Sequence, residues 1–211
     1  MKPSFLKNVR KMYEANADSY AEMMDKEISL PVYKDVLGRL QENISNTPGM
    51  LLDTACGSGH MLAMFRSQYD SNRSLIGIDI SPRMVAISKK RLGEEASVMV
   101  GDMRALPYFD SGSVAGVINF FAIHHLDVDG VRASMIEWNR VLVHKGRLLV
   151  AAWEGSGVID YGEESDIVAL RYTSKELIKI AEVTGFIVTQ CTVEPVEDFP
   201  MGAIYLECMK E

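Results

Sequence analysis

Apolar residues fall into two rhythms along this chain. Short runs with apolar residues on both faces, each closing on an acid, an asparagine or a turn, predict buried strands. They are Met50–Leu52 closing on Asp53, Ser74–Asp79, Ser97–Val100, Val114–Asn119 and Arg147–Trp153. Between them, apolar positions at helical spacing predict helices over His60–Tyr69, from Ser81-Pro82 to Leu92, and from Gly130 to Leu142. Ser81 is a ready N-cap with proline behind it, Gly93 stops that helix, and His144-Lys145-Gly146 stops the next. Thr173 and Glu176 form a capping box opening a later helix that Gly185 closes. Two last strands, Phe186–Val193 and Ala203–Met209, are joined by a connection short enough for an antiparallel hairpin. Gly155 to Arg171 reads as a loop.

Ahead of the first strand, two helical segments are predicted near Val9–Met24 and Pro31–Asn43, set off by the break Asn46-Thr47-Pro48-Gly49. Strands alternating with helices, then a hairpin, predict a doubly wound α/β fold. Five parallel strands and a reversed one follow from that pattern, in a mostly parallel seven-stranded sheet. One domain spans 1–211, with a helical extension over 1–46 and the sheet core over 50–209.

Composition narrows the function. A length of 211 residues suits one domain with a full core, and a net charge of −7 disfavours a phosphate backbone as main partner. Cys56, Cys191 and Cys208 are odd in number and far apart, which argues against a disulfide framework and for a reducing cytoplasm. The first residues lack the apolar core of a signal peptide, no run is apolar for long enough to span a bilayer, and no Cys/His cluster has metal-ligand spacing.

The chemistry concentrates in Met50–Met61, MLLDTACGSGHM. A strand, a turn carrying Gly57 and Gly59, and a helix N-terminus form a cradle that brings backbone N–H groups to a ligand. Asp79 ends the next strand 22 residues after Gly57, near the roughly 20-residue interval of a ribose-binding acid. A carboxylate there accepts from two adjacent hydroxyls. The dinucleotide fingerprint G-x-G-x-x-G/A needs a small third residue where this chain has Leu62, and it gives Asp53 no role. An acid, a small residue and G-x-G resemble instead motif I of class I S-adenosylmethionine (SAM) methyltransferases, with Ala55 where that family often has glycine.

The resemblance covers roughly Met50 to Met209 and implies a Rossmann-like core with SAM across the strand ends and S-adenosylhomocysteine (SAH) as product. It implies that Asp53 orders the turn and reaches the amino group of the methionine part. It places Asp102 on the exocyclic amine of adenine, with Met103 against the ring. The implied cofactor-binding set also takes in Ala55, Cys56, Gly57, Ser58, Gly59, Asp79, Ile80, Met84, Gly101 and Asn119. In many such enzymes a helical extension carries tyrosines to the site. Tyr20 at the cofactor and Tyr13 at the acceptor are the candidates, if the extension is a lid rather than a cover for one sheet edge.

After the fourth strand comes Asn119-Phe120-Phe121-Ala122, where methyltransferases of DNA amino groups usually show Asn/Asp-Pro-Pro-Tyr. The missing prolines argue against nucleobase amino methylation, and His124-His125-Leu126 resembles the small-molecule branch. His124 and His125 are candidates for a catalytic base or for a structural pair. Phe121 and Trp153, with Tyr161 nearby, are candidates for the acceptor pocket. The expected function is in-line methyl transfer from SAM to an O, N or C atom of a small molecule, with no nucleic-acid or membrane partner. A non-catalytic SAM- or nucleoside-binding module and an NAD-dependent oxidoreductase are the rivals. Leu62 and the lack of a Tyr-x-x-x-Lys pair near the cofactor strands disfavour the oxidoreductase.

Overall fold

The computed structural model describes residues 2–159, 167–196 and 201–211. The chain opens with α1 (Leu6–Glu27) and α2 (Pro31–Ile44). It continues through β1 (Met50–Asp53), α3 (His60–Gln68), β2 (Leu75–Asp79), α4 (Pro82–Leu92) and β3 (Ser97–Val100). Next come β4 (Val114–Phe120), α5 (Val128–Val141), β5 (Leu142–Trp153), β6 (Val158–Ile159) and β7 (Ala169–Leu170). α6 (Ser174–Val183), β8 (Phe186–Pro195) and β9 (Gly202–Lys210) complete it.

Seven strands form one sheet in the order β3-β2-β1-β4-β5-β9-β8. β1 to β5 pair in parallel, and β9 runs antiparallel to both β5 and β8. The strand order reverses between β1 and β4, which is where open α/β sheets leave a crevice at their carboxyl ends. The doubly wound, mostly parallel seven-stranded sheet expected from the sequence is the one observed.

Side chains of successive strand residues point to opposite layers. Leu52, Val114 and Val117 pack with Val131, Met135 and Trp138 of α5. Leu51, Ala115 and Ile118 pack with Leu40, Ile44, Leu62 and Phe65 of α2 and α3. The caps fall where their residue types direct. Ser81 Oγ accepts the Met84 N–H at 3.3 Å, and Thr173 and Glu176 close a reciprocal capping box. Asp127 caps α5 by accepting the Gly130 N–H at 2.9 Å, so that helix starts at Val128 rather than Gly130.

Three further expectations shift. α1 is longer at both ends than Val9–Met24. β5 begins at Leu142, directly where α5 ends, rather than at Arg147. Leu142 pairs with Val114, the register then slips before Gly116 pairs with Arg147, and Lys145 takes up the irregularity at φ 62°. Within the expected loop from Gly155 to Arg171, β6 and β7 pair as a small antiparallel ribbon, Val158 with Leu170 and Ile159 with Ala169. Tyr161 lies outside the described residues.

Candidate active site

The carboxyl ends of β1 and β2 bring two acids together. Asp53, 2% exposed, turns inward, and its Oδ1 accepts the Ala55 N–H at 3.2 Å. Asp79 Oδ2 accepts the Gly57 N–H at 2.9 Å and Oδ1 accepts the Ser81 N–H at 2.8 Å. One carboxylate thereby locks the glycine turn and the start of α4 together. Burial pushes the Asp53 carboxyl up to about 7, and the nearby Asp79 charge adds to the shift. Burial also raises Asp79, against the two N–H bonds it accepts. A buried acid held this high favours a cationic ligand beside it.

The turn itself demands glycine. Gly59 sits at φ 85°, and a Cβ there would lie 2.5 Å from Ser88 Oγ and 3.3 Å from the Ser88 backbone. Leu62, in the position where a dinucleotide fold wants a small residue, is fully buried. Its Cδ1 would lie 3.1 Å from a Cβ on Gly77, so β2 rather than α3 supplies the missing side chain at this crossing. Ile80, Met84, Asp102 and Met103 line the compartment beside Asp79. The Asp102 carboxylate is gripped by Arg104, with Nη2 to Oδ2 at 2.7 Å and the backbone N–H to Oδ1 at 2.9 Å. Burial would raise Asp102, but these bonds outweigh it and hold the carboxyl below its usual range.

Not every residue in the implied cofactor set reaches the space. Asn119 is buried beneath it, donating Nδ2 to Thr54 Oγ1 at 3.0 Å and to Met103 Sδ at 3.4 Å. It ties β4 to β1 and fixes Met103. Gly101 backs onto Ile78, and Gly59 lies behind the turn against α4. Neither is in a cavity wall.

α1 crosses over this end of the sheet. Tyr20 Cε1 would lie 3.4 Å from a Cβ on Gly57, and Tyr20 meets Tyr13 edge to face with ring centres 6.0 Å apart. Burial, with Asp79 adding, raises the Tyr20 hydroxyl and keeps it protonated. Polar contacts tie the helix down. His60 Nε2 meets Asp25 Oδ1 at 2.8 Å, while its Nδ1 meets Ser58 Oγ at 2.7 Å. Arg91 also reaches Asp25 at 3.0 Å, and Arg83 pairs with Asp18 at 2.8 Å. Burial lowers the His60 pKa against the Asp25 hydrogen bond. His60 is a residue of the site that no motif in the sequence marks. Its signal was a histidine opening α3 immediately after G-S-G, a polar residue where the helix wall is otherwise apolar. α2 lays its apolar face on the central strands, with Leu40 and Ile44 against Gly116 of β4, and its Arg39 pairs with Glu207 of β9 at 2.7 Å.

Two cavities meet under α1. The smaller, about 60 Å³, follows Asp79, Met84 and Asp102. The larger, about 710 Å³, runs from Asp53, Cys56 and Ser58 toward Trp153, Ile159 and Arg171. Tyr13, Tyr20, Ala55, Phe120 and Phe121 wall both. Phe121 is held at φ 49°, a strained conformation for a non-glycine residue, with its N–H donating to Ala151 O at 2.9 Å. That twist stacks its ring on Trp153 at 4.5 Å.

His124 and His125 follow on a short 3-10 turn, Ile123–His125. His125 Nε2 lies 2.9 Å from the Tyr13 hydroxyl, and the two imidazoles stand 4.0 Å apart. Burial takes the His125 pKa down to about 4, and burial with His125 beside it takes His124 well below its ordinary value. Both are neutral at pH 7 and weak as proton acceptors. Among the described residues, no group of three or more His, Cys, Asp or Glu side chains could hold a metal ion. No helix among them is long and apolar enough to cross a membrane.

Sheet order, the acid pair at the strand ends and the cradle under a capping helix define the class I, Rossmann-like methyltransferase fold. Residues 51–146 of the chain match the methyltransferase domain family. It is 30% identical over 163 residues to the probable tRNA methyltransferase 9B of Bos taurus, covering 76% of this chain and 32% of that protein. It is 27% identical over 110 residues to the ubiquinone/menaquinone biosynthesis C-methyltransferase of Citrifermentans bemidjiense, covering 50% and 46%. The chain thus spans about a third to a half of the length of these relatives. Among solved structures it is similar to the 1,6-didemethyltoxoflavin-N1-methyltransferase of Burkholderia thailandensis with bound 1,6-didemethyltoxoflavin and SAH. That match has a TM-score of 0.76 at 15% identity, covering 100% of this chain and 99% of the other. The SAM-bound magnesium protoporphyrin IX methyltransferase of Synechocystis gives a TM-score of 0.74 at 16% identity, covering 96% and 95%.

Proposed function

We propose that this chain transfers a methyl group from SAM to a small-molecule acceptor enclosed beneath α1. The observation that carries the reading is the pair of cavities sharing one wall, with Asp79 and Asp102 in the smaller and Asp53 at one end of the larger, mainly aromatic chamber. Asp79 offers a carboxylate to the ribose hydroxyls while its N–H bonds keep it in place. Asp53, buried beside Asp79, suits the ammonium of the methionine part, whose charge offsets both. Asp102 and Met103, in the wall of the smaller cavity, suit the adenine. Bound SAM supplies an electrophilic sulfonium methyl. The protein's task is then alignment of an acceptor against Phe121, Trp153 and His124, a kind of effect worth on the order of 7–11 kcal/mol in the best cases.

The neutral histidines fit an orienting role better than that of a base. Through its bond to Tyr13, His125 fixes the lid tyrosine at the boundary of the two cavities. This arrangement suits an acceptor that brings its own lone pair.

The tRNA methyltransferase relative favours a second reading, with RNA as acceptor. The net charge of −7 and the coverage of the chamber by α1 weigh against it. Labelled-methyl transfer from SAM to a metabolite extract and, in parallel, to total tRNA separates the two. Label in a small molecule is expected. Label in RNA alone would replace the acceptor class, and SAH binding without transfer to either would leave a cofactor-binding module.

A further inference from the structure

The larger cavity holds one arginine in an otherwise mainly apolar and aromatic wall. Arg171 is the only lysine or arginine lining it among the described residues. Its Nε is buried without a hydrogen-bond partner. Arg39, Arg73, Arg83, Arg91, Arg104 and Arg140 each meet a carboxylate, and Arg171 meets none among the described residues. Glu27 and Asp53 share the chamber without pairing with it.

The backbone that carries Arg171 is held in place by the fold. The Arg171 backbone N–H donates to Gly157 O at 2.9 Å, anchoring the residue beside the β6–β7 ribbon. Next to it, the Tyr172 hydroxyl donates to Leu126 O at 2.6 Å, which fastens the segment to the histidine turn. Gly155, at φ 128°, leaves a slot for the side chain, since a Cβ there would lie 3.3 Å from Arg171 Nη1. A partly buried cation without a counter-ion is costly, and a planar guanidinium matches a carboxylate with two parallel hydrogen bonds. In the same chamber, Phe121 and Trp153 offer stacked ring faces.

From this juxtaposition we propose that the acceptor is an organic anion with a flat, apolar body, its charged group held by Arg171 and its body lying against Phe121 and Trp153. The proposal rests on reading the larger cavity as the acceptor chamber. Arg171 is a specificity-determining residue under it, and cofactor binding does not involve it.

Naphthoate and its neutral amide are suitable probes, titrated by calorimetry with and without SAH into the wild type, Arg171→Gln and Arg171→Lys. The wild type is expected to prefer the carboxylate by roughly tenfold or more, the scale of a hydrogen-bonded charge pair. Arg171→Gln should lose that preference, keep its affinity for the amide and for SAH, and keep its thermal transition. Arg171→Lys should restore part of the preference. Equal affinity for both probes, no binding of naphthoate up to its solubility limit, or a preference surviving in Arg171→Gln would each overturn the proposal. Failure of SAH to bind any form would instead remove the methyltransferase reading, while the titrations without SAH still decide the role of Arg171.

Discussion

The two halves of the site are built by different means. On the β1–β2 side, strand-end carboxylates hold backbone N–H groups, all within Asp53 to Ser81. On the β4–β5 side, the walls come from α1, Phe121, Trp153, the β6–β7 ribbon and Arg171, segments far apart in sequence. The first half is a local device, suited to a ligand common to many proteins. The second depends on tertiary assembly, and only it can set the acceptor. A substitution should therefore disturb one half and spare the other, which the following expectations exploit.

The largest effect should come from the tightest packing in the first half. Gly59→Ala forces a side chain into the left-handed region and against Ser88. Strain and overpacking together should cost on the order of 3 kcal/mol, read from denaturant unfolding. A variant with unchanged stability would mean that α3 and α4 adjust freely, and the cradle is softer than its geometry.

Acid and neutral pH should act through different groups of the site. His125, 4% exposed, has its pKa lowered to about 4 in the folded chain. The unfolded chain therefore binds more protons between about pH 6.5 and 4, and stability is lost as pH falls through that window. The loss from His125 should be on the order of 3 kcal/mol, and His125→Gln should remove it. Asp53 behaves the other way. Its pKa is raised to about 7, so its contribution is fully present below about pH 4 and is lost as pH rises through 7. Asp53→Asn should flatten that neutral-side slope. Parallel slopes in wild type and both variants would contradict this division.

Asp79→Ala should weaken SAH binding by about 1.5–3 kcal/mol, the range for hydrogen bonds to a charged group, and it strands the Gly57 and Ser81 N–H groups as well. Naphthoate binding in the acceptor chamber should be nearly unchanged in this variant. Calorimetry showing equal losses for both ligands would erase the distinction between the halves.

The same division explains what could be read from the sequence. The positions of Asp53, Gly57, Gly59 and Asp79 in the fold were legible because each owes its place to a strand end or a glycine turn a few residues away. The sheet was legible because apolar runs and helix signals alternate. Asn119 was misplaced because a strand end faces both upward and inward, and only the packing of Thr54 and Met103 decides which. His124 and His125 were seen as chemistry-bearing, but their neutrality comes from burial, which no local pattern records. The ribbon was missed because two-residue strands carry no period. Arg171 was invisible as a site residue because its meaning lies in meeting no acid partner among the described residues, a fact of three dimensions.

The smallest effect should fall on α1, which joins the halves. α1 buries Val9, Ala17, Ala21 and Met24, but its polar ties are few and partly exposed. Exposed ion pairs contribute little, so the helix should open locally well below global unfolding. Cofactor beneath Tyr20 and acceptor beside Tyr13 would each add contacts to the closed state only. Amide exchange over residues 8–25 should slow when SAH is added. Asp25→Ala removes the contact to His60 and Arg91, and should speed exchange in the free protein while leaving the sheet amides unaffected. Because SAH closes the same helix, the gap between variant and wild type should narrow when it is bound. Identical exchange with and without SAH in both proteins would make α1 a fixed cover, and the acceptor would then have to enter past the ribbon instead.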